Sequence, residues 1–351
     1  MEIAILNKEF EIIDVIDYYK SLEWVKRYCD TGDFVLNIIA NAHTVQNLKE
    51  RNYVVREDDD KIYQIEKINL KSNEEDGDIL TVSGRSVEKI LAQRIVWKQT
   101  RANGGETAED FIRRIITENA INPSDKKRKI PRLKLGEKMG FSEKIEKQLT
   151  GDNLLTAVKE ICNTYSYGFK IVMNETGELV FELYKGKDRS YRQNENPFVI
   201  FSPDFDNVVN TEYEYDETNI SNVALIGGEG EGNERKYQTI GNTEGMERYE
   251  LFVDAKDVSS NNGEISAAEY NNMLIERGRE KIAENTFIET YDGELENTNT
   301  YIYKEDYDIG DVVQIVDKFG IESTPRILEI IESDNENGYK IVATYGSWEV
   351  I

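Results

Sequence analysis

The chain has 351 residues, 39% hydrophobic and 10% aromatic, enough to build cores for about two to four domains. Its 68 acidic residues outnumber 43 basic ones for a formal net charge of −25, which repels phosphate backbones and argues against a nucleic-acid reader. Two cysteines, Cys29 and Cys162, make neither a disulfide framework nor a zinc site, and one histidine, His43, is too few for a histidine-based zinc centre.

Residues 1–98 read as β. Ile3, Ile5, Phe10, Ile12, Val15 and Tyr18 alternate along short runs, and 34–38, 61–69 and 79–84 are further strand candidates. Turn clusters separate them at 30–33, 57–60 and 73–78. Residues 87–92 predict a short helix before Arg94-Ile95-Val96-Trp97. The N-terminus carries two acids among its first ten residues and alternates like a strand, so no signal peptide is expected. No apolar run reaches the roughly 18 residues of a membrane span, and a soluble protein made in a cytoplasm is expected.

Residues 99–190 change character. Asn103-Gly104-Gly105 reads as a linker, and Thr107 with Asp110 opens a helix whose Phe111, Ile112, Ile115 and Ile116 share one face. Pro123 and Pro131 bracket the one cationic cluster, Lys126-Lys127-Arg128-Lys129, which reads as an exposed loop or as a docking loop for an acidic partner. A second helix is predicted from Asp152 to about Tyr165, then a hairpin of 169–173 and 179–184. Residues 191–351 return to β, interrupted at 227–233. Ser266 and Glu269 form a capping box that opens a helix over about 266–284. Alternation resumes at 300–303 and 312–316. The order predicts an α+β, β-rich fold: an N-terminal β-rich domain at 1–98, an α/β insert at 99–190 and a C-terminal β domain with one long helix at 191–351.

Chemistry is hard to find. A Ser-His-Asp or Cys-His site would depend on His43, which sits in no local motif. Gly227-Gly228-Glu229-Gly230-Glu231-Gly232 follows a strand candidate where a dinucleotide loop would lie, but no helix pattern follows and its glutamates would face phosphate. The acidic stretches 73–78 and 333–338 lack the spacing of a calcium loop. With 68 acids, carboxylate pairs for glycoside hydrolysis carry no signal. No catalytic residue, cofactor site or metal site is expected.

Several segments together do carry a resemblance. They are Tyr19-Lys20-Ser21-Leu22-Glu23-Trp24, Arg27-Tyr28, and Gly32-Asp33-Phe34-Val35-Leu36. Val82-Ser83-Gly84-Arg85-Ser86 follows, with Ile90-Leu91 and Arg94-Ile95-Val96. Then come Tyr184-Lys185-Gly186-Lys187-Asp188-Arg189-Ser190, Val199-Ile200-Phe201-Ser202, Asn207, Tyr213 and Asn222-Val223-Ala224. Last are Arg248-Tyr249-Glu250, Val253-Asp254 and Tyr307-Asp308-Ile309-Gly310-Asp311-Val312-Val313. The ordered set, spanning roughly residues 2–345, resembles a family of siphophage tail proteins related to the baseplate hubs of contractile phages.

The resemblance implies a structural tail-tip protein of a phage or phage-tail-like particle, assembled in the host bacterial cytoplasm. Two barrel-like β domains per chain would form a pseudo-sixfold ring from three chains, adapting the tail tube to the tip and letting DNA pass without specific binding. Implied partners are the chain itself as a homotrimer, the tail tube and distal tail proteins, and a tip fibre or lytic protein on another polypeptide, with no membrane partner. The rival readings are a tail-tip cell-wall hydrolase and a glycan-binding adhesin. On physical grounds Gly32 and Gly310 suit turns that need φ > 0, Trp24, Tyr28 and Trp97 suit core edges or interfaces, and Asp188 could pair with Arg189.

Overall fold

The computed structural model describes residues 1–73, 77–295, 300–320 and 322–346. Its framework is one antiparallel sheet of eleven strands. From one edge to the other these are Val208–Asp216, Ile288–Leu295, Gly338–Gly346, Arg326–Asn335, Ser21–Arg27, Asp33–Ile39, Gly77–Ser86, Ile62–Asn73, Tyr53–Arg56, Ile3–Leu6 and Ile12–Ile16. The sheet therefore runs from C-terminal into N-terminal sequence, and the seam is Arg326–Asn335 against Ser21–Arg27, in register from Glu329–Arg27 to Asn335–Ser21. The fold is α+β and β-rich.

Period-two alternation produces the cores on either side of the seam. All seven N-terminal strands contribute to one apolar cluster that includes Ile3, Ile16, Trp24, Phe34, Val54 and Leu80. The C-terminal strands bury Val208, Tyr291, Ile327, Ile330 and Tyr345 with Phe201 and Ile315 of short flanking strands.

The helices follow their caps. Thr107 accepts the Asp110 N–H and starts Ala108–Ile116, and Asn153 accepts from Leu155 and Thr156 and starts Leu154–Thr164. The hairpin of Gly168–Met173 and Leu179–Tyr184 packs in the same core as both helices. Ser266 and Glu269 complete their capping box at the head of Ala267–Glu284. That helix covers one face of a small sheet, Tyr237–Ile240, Val223–Gly227 and Glu250–Asp254, burying Ala224, Ile226 and Val253. The short helix expected at 87–92 forms as a 3-10 helix over Val87–Gln93, while 300–303 forms no strand.

The two signal glycines work differently. Gly310 has φ +91, and a Cβ there would stand 2.4 Å from the Tyr28 ring. Gly32 does not need a positive φ; it needs the missing side chain, since a Cβ would lie 2.2 Å from the Val25 carbonyl oxygen. Gly230, in the glycine-rich loop, is itself crowded, with φ +98 and a Cβ 2.6 Å from the Glu234 carbonyl. Gly140, at φ +79 with nothing within 4 Å, isolates the conformational cost. Gly140→Val is expected to cost about 1–2 kcal/mol. Gly310→Val should add about 1–3 kcal/mol of overpacking, because the Tyr28 ring has nowhere to go. Thermal melts of both variants check this; equal melting temperatures would reject the Tyr28 contact.

Candidate functional site

The seam is where the chain concentrates its buried charge. Along Ser21–Arg27 the inward side chains are Leu22, Trp24 and then Lys26, a lysine where alternation calls for an apolar residue. Lys26 Nζ lies 2.7 Å from Asp59 Oδ2 and 2.8 Å from Glu332 Oε2, with every side chain in the triad at most 4% exposed. Arg56, fully buried, donates Nε and Nη2 to the two Asp58 oxygens at 2.9 and 2.6 Å, and Nη2 also reaches Glu332 Oε1 at 3.0 Å. Lys304 Nζ closes the set on Asp59 Oδ2 at 3.0 Å and on the Asp58 carbonyl at 2.6 Å. The Tyr339 hydroxyl donates to Glu332 Oε1 at 2.7 Å. Three cations thus meet three carboxylates, drawn from both ends of the chain.

The electrostatics follow from that balance. Burial disfavours the charged form of Asp59, but the Lys26 and Lys304 ammonium groups outweigh it and hold the carboxyl well below the usual range. Glu332 is lowered in the same way by Lys26 and Arg56 against its own burial. Burial likewise opposes the Lys26 charge, and Asp59 and Glu332 overcome it and raise its pKa.

One turn along, Tyr28 joins the remaining parts. Its N–H donates to the Leu328 carbonyl at 2.9 Å across the seam, and its hydroxyl donates to the Ser166 carbonyl at 2.9 Å in the insert. The ring stands edge-on to Tyr184 at 5.3 Å, with the Arg326 guanidinium 5.2 Å from its centroid. Burial pushes its phenol up to about 12, so it remains a donor. Beside it, residues 186–190 dock on residues 308–312. Arg189 Nε donates to Asp311 Oδ2 at 2.6 Å, the Lys187 N–H donates to Asp311 Oδ1 at 2.6 Å, and Arg189 N donates to the Val312 carbonyl at 2.7 Å. Arg189 therefore pairs with Asp311, while Asp188 accepts the Ser190 N–H at 2.8 Å; a distant carboxylate, already desolvated, replaces the neighbour expected from sequence. A cleft of about 790 Å³ opens here, lined by Lys26, Lys170, Lys187, Tyr303 and Asp308 among others.

The other sequence candidates lie elsewhere. His43 is exposed on the short helix Ala42–Asn47, its Nε2 3.0 Å from Asp14. Cys29 and Cys162 are free and buried, and the Cys29 thiol contacts the Lys159 carbonyl at 3.8 Å. The glycine-rich loop is held by the Tyr270 hydroxyl, which accepts the Glu229 N–H at 2.7 Å. Residues 333–338 form a strand end and hairpin turn, and 74–76 of the other acidic stretch lie outside the described residues. Among the described residues no group of three or more His, Cys, Asp or Glu could hold a metal ion, and no helix is long and apolar enough to cross a membrane.

The sequence matches the family described as Siphovirus ReqiPepy6 Gp37-like protein over residues 2–347. The chain belongs to that family. That family is one of siphovirus tail proteins. Three solved structures share the fold. The tail protein from Neisseria meningitidis MC58 has TM-score 0.61 and 13% identity, over 98% of this chain and 96% of that one. The 43 kDa tail protein of prophage MuSo2 from Shewanella oneidensis has TM-score 0.60 and 14% identity, over 99% and 98%. Prophage tail protein gp18 from Listeria monocytogenes EGD-e has TM-score 0.55 and 13% identity, over 98% and 94%. No protein of curated function matches.

The family segments quoted from sequence converge here. Arg27-Tyr28, 184–190 and 307–313 meet around Tyr28, and 199–202 pairs alongside Gln314 and Ile315. The charge network was missed, because 57–60 reads as a plain acidic turn; the one available signal was Lys26 at an inward strand position. Removing one member of such a network leaves the others buried and uncompensated, so Lys26→Met should cost about 3–5 kcal/mol. The folded carboxyls bind protons more weakly than unfolded ones, so their contribution is complete above about pH 5 and is lost as pH falls below it. Urea midpoints at pH 7, 5, 4 and 3 should fall steeply for the natural protein and less steeply for Lys26→Met; parallel curves would show that the network does not set acid stability.

Proposed function

We propose that the protein is a hub of the tail tip, three copies of which form a ring that joins the tail tube to the tip. In this reading the 1–98 and 191–351 regions are the two barrel-like, ring-forming domains, and 99–190 is an insert on their flank. DNA passes through the ring without specific binding, and the chain catalyses nothing. Its neighbours are the tail tube, distal tail proteins and a fibre or lytic protein on another chain.

The observation that carries the reading is the edge of the great sheet. Among the described residues Ile12–Ile16 pairs on one side only, with Ile3–Leu6, and exposes Ile12 at 67%, Ile13 at 42% and Val15 at 53%. An apolar edge strand templates pairing with another chain, even though Asp14 Oδ1 takes the Val15 N–H at 3.0 Å. The opposite edge, Val208–Asp216, bears exposed Tyr213 and Tyr215. A sheet with two unlike edges suits head-to-tail association, which closes into a ring when the rotation permits.

Native mass spectrometry should find three copies at tens of micromolar, and Val15→Lys on the edge should shift the population to monomer with little change in melting temperature. A natural protein that is strictly monomeric, even with tail-tube protein added, would refute the ring. Incubation with purified cell walls should release no soluble sugar or peptide; sustained release abolished by a single carboxylate substitution would favour a hydrolase instead.

A further inference from the structure

One stretch of this acidic chain gathers several cations that are not ion-paired. Arg94, Lys98, Lys126, Lys127, Arg128 and Lys129 enter no ion pair among the described residues, although neighbouring Arg101, Arg114, Lys134 and Lys138 do. The segment 94–98, which carries Trp97, 63% exposed, and the exposed Ile95, is joined to the segment 126–129 through Arg128. The Arg128 guanidinium stands 4.8 Å over the Trp97 ring and donates to the Ile95 carbonyl at 2.7 Å, while Arg94 Nε donates to the Arg128 carbonyl at 2.5 Å. The loop is anchored rather than loose. Ile130 is buried and its N–H donates to the Ala120 carbonyl at 2.7 Å, and the Asp125 carboxylate takes the Lys127 N–H at 3.0 Å. Like charges gathered on these two joined segments, beside an exposed indole, repel one another and disfavour the isolated chain. Such a surface is stabilised by an anionic, apolar-centred partner.

The same chain presents a surface of that chemistry. The outer face of the small sheet exposes Leu225, Phe252 and Tyr237, with Leu225 opposite both Thr239 and Phe252, and the Arg235 guanidinium, neutralised by Asp254, stands 5.4 Å from the Phe252 ring and 5.8 Å from the Tyr237 ring. On the two loops that join its strands, Glu231, Glu234, Glu244 and Glu247 are exposed and enter no ion pair among the described residues. The two surfaces face apart within one chain. Helix Ala267–Glu284 covers the inner side of that sheet and packs against Leu154–Thr164 of the insert, so the outer side points away from the insert that carries Trp97.

We propose that the Trp97 patch of one copy docks on the Leu225–Phe252 sheet face of a second copy, with Lys126, Lys127 and Lys129 against the glutamate rim. This rests on the ring reading, and it names a contact that the sheet edges do not supply. Every copy provides one basic and one acidic face, the stoichiometry a closed ring of unlike faces requires. A nucleic-acid partner is disfavoured by the net charge of −25, which repels a phosphate backbone at long range.

The test is charge reversal with rescue, read by sedimentation over a concentration series. Lys126→Glu, Lys127→Glu and Lys129→Glu together should raise the concentration for half-assembly by about tenfold or more. Glu231→Lys, Glu234→Lys and Glu244→Lys together should do the same, and the chain carrying all six should assemble close to the natural protein. Assembly of the natural protein should weaken as salt is raised from low to moderate, since screening acts on rim charges. All six positions are exposed, so unchanged melting temperatures verify folding. If the natural protein forms trimers and either triple variant assembles equally well, the contact is wrong and the ring stands. If the natural protein never assembles, both fall. If a duplex DNA oligonucleotide binds the natural protein and is lost in the lysine variant while assembly is unchanged, the patch is a nucleic-acid surface and the proposal is overturned.

Discussion

The rest of the structure depends on one strand pairing, Ser21–Arg27 with Arg326–Asn335. It closes almost the whole chain into a loop and turns two groups of strands into one eleven-stranded sheet. Loop-closure entropy grows only slowly with length, but it must still be overcome before such a distant pairing contributes anything. The seam brings more than backbone bonds to that task. Trp24, Ile327 and Ile330 are fully buried on its two strands and Tyr28 just beyond them, and the Lys26, Arg56 and Lys304 charges are matched on Asp58, Asp59 and Glu332.

A buried ion network is a poor source of net stability, because desolvation consumes most of the Coulombic gain. Its physical effect is discrimination. If the strands slipped by one residue, Lys26 and Glu332 would pass to the other face and their partners would remain buried without countercharge. An apolar pair at these positions would tolerate several registers. Tyr28 extends the same specificity to the third part of the chain, since its ring and hydroxyl fit only when Gly310 and the Ser166 carbonyl arrive together.

The surface is organised on the opposite principle. Interior charges are balanced, whereas the exterior keeps its contrasts: an apolar sheet edge at Ile12–Ile16, a basic patch around Trp97 and an acid-rimmed apolar face at Leu225 and Phe252. Isolated exposed apolar residues are ordinary, but apolar residues grouped with unpaired like charges describe a subunit of an assembly better than a free-standing protein. Family membership among phage tail proteins agrees with that picture.

Local features were legible in the sequence alone. The Ser266–Glu269 box, the Thr107 cap and the 168–184 hairpin depend on contacts within a few residues, and each forms where its side chains call for it. Tertiary structure decided what periodicity cannot carry. Alternation says which face of a strand is apolar, not which strand lies beside it, so neither the seam nor the edge position of Ile12–Ile16 could be read in advance. Arg189 paired with Asp311 and not with Asp188, and the turn at 57–60 became the buried counterpart of Lys26 and Arg56. A charge's partner is set by which carboxylate is desolvated beside it, and that is a property of the folded chain.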